Sequence, residues 1–191
     1  ATKQSATPSE IRFYRSNEKP YGAFSNLYPR PIEFEGRIFP TSEHAYQAGK
    51  AQKPAVREWI LSAPTPALAA MAAHGLYVWD VVPDWAKIKF DRMRAVLRAK
   101  FDQHPDLKDL LMSTGNARLV EAGTVNNAVN RLWGEVDGKG ENIVSKVVGN
   151  KTIDTGMLKF FDKSTTMVYA SVIPDYVKKM YSNLIEGTIY D

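Results

Sequence analysis

Hydrophobic positions along this chain follow two periods, and the change between them marks its organisation. Near the start, IRFY (11–14) is a short β-branched and aromatic run, and PIEFEGRIFP (31–40) holds two more on either side of the turn signal Glu35-Gly36. Such runs predict one short strand and then a tight pair. From Ser42 to about Thr114 the pattern becomes helical, punctuated at Pro54, Pro64, Pro66, Gly75 and Pro83. The clearest helix is predicted from about Asp84 to Gln103, where Phe90, Met93, Leu97 and Phe101 recur at helical spacing and form one apolar stripe. Pro105 starts a shorter helix, DLKDLLMST, which Gly115 can end, and ARLVEAG then reads as a strand.

The last forty residues change character. MLKFF and TTMVYASVIP precede a helix predicted from Asp175 to about Glu186. The pattern as a whole predicts an α+β fold: a helix-rich, compact single domain whose short strands, drawn from distant segments, form a small β-sheet. Residues 1–10 are expected to be a flexible arm, 11–151 the domain, and 152–191 an extension packing on it.

Composition narrows the class. The 191 residues suffice for one domain with a real core, and 44% hydrophobic with 24% charged residues is typical of a globular chain, not of disorder. No apolar run approaches the roughly 18 residues that a membrane helix needs, so the cytoplasm, or that of a host cell, is the expected compartment. The formal net charge of +4 tolerates phosphate-bearing ligands without demonstrating them. With no cysteine, disulfides, thiolate metal sites and cysteine nucleophiles are excluded.

The candidate chemistry is sparse by motif. His44, His74 and His104 are too scattered for a zinc site, so no metal and no cofactor is expected. No Ser stands in a G-x-S-x-G elbow, and DGKGEN (137–142) has the spacing of neither a Walker loop nor G-x-G-x-x-G. DGKGEN reads first as a surface turn, with a phosphate cradle as the alternative. Lys87, Arg94 and Arg98 cluster on one side of the long helix and read first as a solvated face. Trp85 reads as a core residue or a stacking platform, and Gly134 beside Trp133 would let a ligand approach the indole.

FPTSEHAYQAGK (39–50) is the most informative stretch. Thr41 and Ser42 are good N-cap residues, and Glu43 then lies in the positive field of a helix first turn. Glu43, Gln47 and Lys50 fall on one helical face, with Ala45, Ala48 and Ala51 on another. Periodicity leaves two readings open: a solvated stripe, or the wall of a site with a carboxylate at its mouth.

Taken in order, FY (13–14), YGAFSN (21–26), PI (31–32), PTSEH (40–44), QAGK (47–50), Trp85 with Lys89, LRAKFDQHPDLKDLL (97–111), TG with LVE (114–121), LWG and GKGEN (132–142) resemble the NADAR superfamily. That superfamily includes the YbiA-like N-glycosidases of riboflavin-pathway intermediates and enzymes that remove ADP-ribose from guanine. The resemblance implies a compact α+β fold and cleavage of the N-glycosidic bond between ribose and a guanine-like base. It implies Glu43 as the catalytic carboxylate and Trp85 stacking on the base or holding the pocket. The chemistry also admits a second route in which the Lys50 amine forms a Schiff base, its plainer role being to pair with a phosphate or with Glu43. Tyr14, Ser25, Asn26, Trp133, Gly134 and Asn142 match positions that shape the ribose and phosphate site, and His44 and Gln47 join them as substrate-binding residues.

The implied substrate is a nucleotide or nucleic acid bearing ADP-ribose on guanine, with no membrane and no obligate protein partner. The alternatives are a phosphoribosylamino-pyrimidine of riboflavin synthesis as substrate, or a non-catalytic sensor of an ADP-ribose-like ligand. Similar proteins carry an acid about three positions before the WG pair; here Asn130 stands there, so Asn130 joins Glu43 and Lys50 among the catalytic candidates. After Asn142, Val144-Ser145 and VVGNK replace the family's usual continuation.

Overall fold

The computed structural model describes residues 9–148. The strands and helix expected beyond residue 151, the extension 152–191 itself, and residues 1–8 of the expected arm lie outside the described residues. Within them the chain forms four short strands and seven helices: β1 (Glu10–Phe13), β2 (Ile32–Phe34), β3 (Arg37–Phe39), α1 (Ser42–Ala48), α2 (Pro54–Leu61), α3 (Pro66–His74), α4 (Trp85–Gln103), α5 (Pro105–Ser113), β4 (Arg118–Glu121), α6 (Ala128–Trp133) and α7 (Ile143–Val148). The described residues divide into two compact units, one made of 9–30 and 97–148, the other of Pro31–Val96. The expected small sheet is two separate two-stranded ladders, one in each unit.

In the first unit β1 pairs parallel with β4, Glu10 opposite Arg118 and Phe13 opposite Glu121. Alternation places Ile11 and Phe13 inward, as a half-buried strand requires. Phe13 meets Phe24 edge-on at 5.6 Å, and Phe24 meets Phe101 at 6.1 Å, an aromatic chain that ties β1, the 3-10 turn Tyr21–Phe24 and the C-terminal part of α4 into one core. Gly115, at φ 52°, follows α5, where the sequence places its stop. DGKGEN is a tight turn: Asp137 and Gly138 both take positive φ, and Val136 bridges Lys139.

In the second unit β2 and β3 form an antiparallel hairpin whose turn residues Glu35 and Gly36 have φ of 52° and 74°. Two successive positive φ values match the right-handed twist of the flanking strands, which explains the Glu-Gly signal. Pro54 and Pro66 open α2 and α3 at positions where a missing N–H matters least. Ala51, Val56, Ile60, Ala69, Ala72 and Ala73 form the core beneath, with Trp59, Ala63 and Leu76 against it. The small alanine faces let α1, α2 and α3 approach closely.

Candidate active site

The second unit holds the stretch around Glu43, and α1 removes one of the two readings of it. Every residue from Ser42 to Ala48 is buried, so the polar stripe is no solvated face. Thr41 caps the helix, its hydroxyl oxygen accepting the His44 backbone N–H at 3.3 Å. Glu43 is 8% exposed and its Oε1 accepts a 2.7 Å hydrogen bond from Gln47 Nε2 one turn on. A carboxylate so held keeps one orientation. The neighbouring Tyr46 hydroxyl is pushed well above its ordinary range, first by burial and then by the Glu43 charge.

His44 faces protein on both ring nitrogens. Nδ1 lies 2.9 Å from the Thr41 hydroxyl and Nε2 lies 3.3 Å from the Ala63 carbonyl. A carbonyl can only accept, so Nε2 carries the proton and the Thr41 hydroxyl donates to Nδ1. Burial lowers the ring's pKa, and the Ala63 carbonyl partly offsets this. His44 therefore ties the start of α1 to the segment after α2.

Lys50 does not continue the face of Glu43 and Gln47, because α1 ends at Ala48. The reason is Arg92. Its Nε donates to the carbonyls of Ala45 and Tyr46, both at 3.1 Å, and its Nη2 to Ala45 at 2.6 Å, while Nη1 pairs with Glu35 at 2.9 Å. A cation on the last carbonyls complements the helix dipole. A Cβ at Gly49 would collide with that guanidinium, which explains the glycine of QAGK. Beyond it the chain turns to bridge Ala51 with Val81, and Lys50 Nζ donates to the Ala73 carbonyl at 2.8 Å.

That placement changes the chemistry of the Lys50 amine. Burial, and then the charge of Lys89, push it down to about 8. Burial also lowers Lys89, and burial with Lys50 holds His74 down at about 4, hence neutral. Desolvation beside a second amine is a known way to raise the neutral, nucleophilic fraction of a lysine. Trp85 begins α4 and packs its indole on the Tyr46 ring, centroids 5.4 Å apart.

The first unit holds the remaining candidates. Tyr14 is half-buried and lines an open recess of about 290 Å³ with Arg12, Phe13, Arg15, Glu18, Ala122 and Thr124. Ser25 and Asn26 are buried at the end of YGAFSN, the Ser25 hydroxyl accepting the Leu27 N–H at 3.3 Å. Asn142 takes φ 51°, a value asparagine tolerates, and its carboxamide pairs with the β4 backbone. Its Oδ1 accepts from Glu121 N at 3.1 Å and its Nδ2 donates to the Leu119 carbonyl at 2.8 Å.

Gly134 ends α6 below Trp133, and the space a side chain there would need is filled by the Glu121 carbonyl of β4. The protein's own backbone makes the close approach that the sequence suggested for a ligand. Asn130 lies in the first turn of α6. Its N–H donates to the Asn127 cap at 2.8 Å and its Nδ2 to the Val125 carbonyl at 2.8 Å. An aspartate at this position could not make the second bond, because a carboxylate only accepts.

Sequence reasoning missed Arg92, His74 and Lys100 as determinants, and left Lys89 as a bare motif match. One signal was available: Lys89 and Lys100 stand four before and seven after Met93, inside the apolar stripe of α4. Among the described residues no group of His, Asp or Glu could hold a metal ion, and no helix is long and apolar enough to cross a membrane.

The NADAR domain model matches residues 12–150. An N-glycosidase YbiA of Shigella flexneri is 41% identical over 133 residues, 69% of this chain and 79% of that protein. A riboflavin biosynthesis protein of Vibrio vulnificus is 32% identical over 72% of this chain, though over only 36% of its own length. The NMR structure of Escherichia coli YbiA superposes with a TM-score of 0.64 at 38% identity, covering 73% of this chain and 80% of that one. The chain belongs to the NADAR domain family, alongside relatives that are N-glycosidases.

Proposed function

We propose that the chain hydrolyses the N-glycosidic bond between ribose and a guanine-like base, removing ADP-ribose from guanine in a nucleotide or nucleic acid. The observation that carries this reading is the chemistry held in and just beyond α1: a buried carboxylate fixed by Gln47 and, past the helix end, an amine on the Ala73 carbonyl pushed down to about 8. Departure of the base builds positive charge on the ribose ring, and a fixed carboxylate stabilises that oxocarbenium-like state or takes the proton of the attacking water. Glu43 has this role.

Lys50 supplies a covalent route. Its neutral amine bonds to the anomeric carbon as the carbon–base bond breaks and the electron pair leaves with the base. Loss of an N–H proton and opening of the ribose ring give an imine, which water then hydrolyses to free the lysine. The Ala73 carbonyl accepts one amine hydrogen and leaves the lone pair available for attack.

A second substrate, the phosphoribosylamino-pyrimidine of riboflavin synthesis, is favoured by the Vibrio relative's name. It requires the same bond cleavage. Incubation with ADP-ribosylated oligonucleotide and, separately, with the pyrimidine, following release of free base, decides between them. Glu43→Gln, which keeps a partner for Gln47, is expected to lower kcat about a thousandfold on the true substrate while binding persists. Binding of ADP-ribose with no cleavage of either substrate would leave the sensor reading, in which Asn130 in place of an acid has removed turnover.

A further inference from the structure

Lys100 is the largest charged side chain in the interior of the described chain. It is 0% exposed, it stands on the apolar stripe of α4 three residues after Leu97, and leucine or methionine would serve that position for packing alone. Its Nζ instead donates to the carbonyls of Ala23 at 2.6 Å and Ser25 at 2.9 Å. These carbonyls lie at the end of the 3-10 turn Tyr21–Phe24, where carbonyls lack partners within the helix. The rings of Tyr28 and Phe101 stand 5.6 Å and 5.5 Å from the ammonium, in the range where a ring face stabilises a cation.

The rest of the segment is fixed from the opposite side. A Cβ at Gly22 would meet the carbonyls of Arg15 and Ser16 at 2.7 Å, so the chain there is closely packed. Ser25 N donates back to Gly22 O at 3.0 Å. The Ser25 carbonyl also accepts the Tyr28 N–H at 3.1 Å, and the ammonium on α4 is the donor that joins it to the Ala23 carbonyl.

We propose that Lys100 is a positioning residue for YGAFSN: its ammonium, shared between the Ala23 and Ser25 carbonyls, sets the backbone that presents Ser25 and Asn26 to the substrate. The substrate part rests on the N-glycosidase reading above, whereas the hold on the backbone does not. Lys100 touches no reacting atom in this scheme, so its removal acts on substrate affinity more than on turnover. Burial opposes the charge that Lys100 carries, and the Glu121 carboxylate of β4 favours it.

The chain has no cysteine, so Lys100→Cys creates a single thiol. Alkylating the unfolded variant with 2-bromoethylamine and refolding it rebuilds a lysine-like amine. Alkylating it with bromoethane leaves a similar stem without the amine. With the amine restored, KM and the amide hydrogen exchange of Tyr21–Asn26 are expected to match the unmodified chain. With the ethyl group, that exchange is expected to be at least about tenfold faster and KM at least about tenfold higher, with kcat within about threefold and β1 and β4 amides unchanged. Failure of the ethyl form alone to refold also supports a requirement for the amine.

Equal behaviour of the two alkylated forms would overturn the proposal, because the apolar stem would then suffice. So would a fall in kcat at unchanged KM. If the unmodified chain cleaves neither substrate, the N-glycosidase reading fails, and the exchange comparison alone decides whether Lys100 holds the segment.

Discussion

Lys50 and Lys100 are both lysines that burial drives far below their ordinary range, to about 8 and about 7, yet their surroundings differ in kind. Lys50 has one carbonyl partner, a second amine in Lys89 that opposes its charge, and a histidine kept neutral beside it. Lys100 has two carbonyls, two aromatic rings and the favourable charge of Glu121. The comparison separates two uses of one side chain. Depth of burial sets the cost of the charge, and the partners decide which protonation state the site is built around. The Lys50 region favours the neutral amine, as a nucleophile requires, and the Lys100 region provides for the ammonium.

Exchanging each lysine for methionine is the strongest way to break that contrast. Lys50→Met is expected to lower kcat by at least about a hundredfold and to abolish the adduct trapped by borohydride. Lys100→Met is expected to act on KM and to leave the trapped adduct in place. The pH profiles should part in the same way. In the unmodified chain kcat rises as pH increases through about 8, because the attacking amine must be neutral. Affinity weakens as pH increases through about 7, because a neutral Lys100 loses its charge-assisted bonds to Ala23 and Ser25. A Lys50→Met chain that still gives a trapped adduct would move the nucleophile elsewhere, and a kcat that falls across pH 8 would remove the neutral-amine requirement.

Stability offers a smaller effect that belongs to the Lys50 region alone. His74 is held at about 4, first by burial and then by Lys50, against 6.5 ordinarily. Between these values the unfolded chain binds a proton that the folded chain does not, so stability falls as pH drops. The contribution is fully present above pH 6.5, and about 2–3 kcal/mol of it is lost by pH 4. In urea titrations across that window, His74→Gln is expected to flatten the slope and Lys50→Met to reduce it, while Lys100→Met leaves it unchanged. Equal slopes in all four chains would show that the histidine does not feel the lysine.

Much of the frame was legible because it depends on neighbours in sequence. Glu35-Gly36 marks a hairpin through backbone angles that only its own residues determine, and the spacing of Phe90, Met93, Leu97 and Phe101 fixes α4 without reference to anything else. The site was legible only in part. The end of α1 at Ala48 depends on Arg92, a residue from another helix that occupies the carbonyls of Ala45 and Tyr46, so periodicity extended the face to Lys50. His44 gave no sign of being tied down at both nitrogens, because its partner is the carbonyl of Ala63. Asn142 and Gly134 match motif positions, but their tightest contacts are with β4, and no local pattern encodes that. Lys89 and Lys100 were readable in principle as lysines standing inside an apolar stripe, a mismatch between residue type and helical face.

The exposed cations of α4 provide the weakest expected effect and the control for the others. Lys87 pairs with Asp84 at 3.0 Å, Arg94 with Asp91 at 2.7 Å, and Arg98 lies 3.5 Å from Asp102, all within the helix or at its start and open to solvent. Such pairs gain little, because water screens them and two flexible side chains must be ordered together. Arg94→Ala and Arg98→Ala are therefore expected to change stability by less than about 0.5 kcal/mol in urea titration. If these side chains only solvate the helix, KM for an ADP-ribosylated oligonucleotide will respond to salt identically in variants and parent. A phosphate-binding stripe gives another result, since each cation that meets a phosphate adds to the steepness of the salt dependence. A shallower salt slope in the alanine variants would place the nucleic acid along α4. Charge on this helix would then act at its surface as well as through the half-buried amine of Lys89 and the buried one of Lys100.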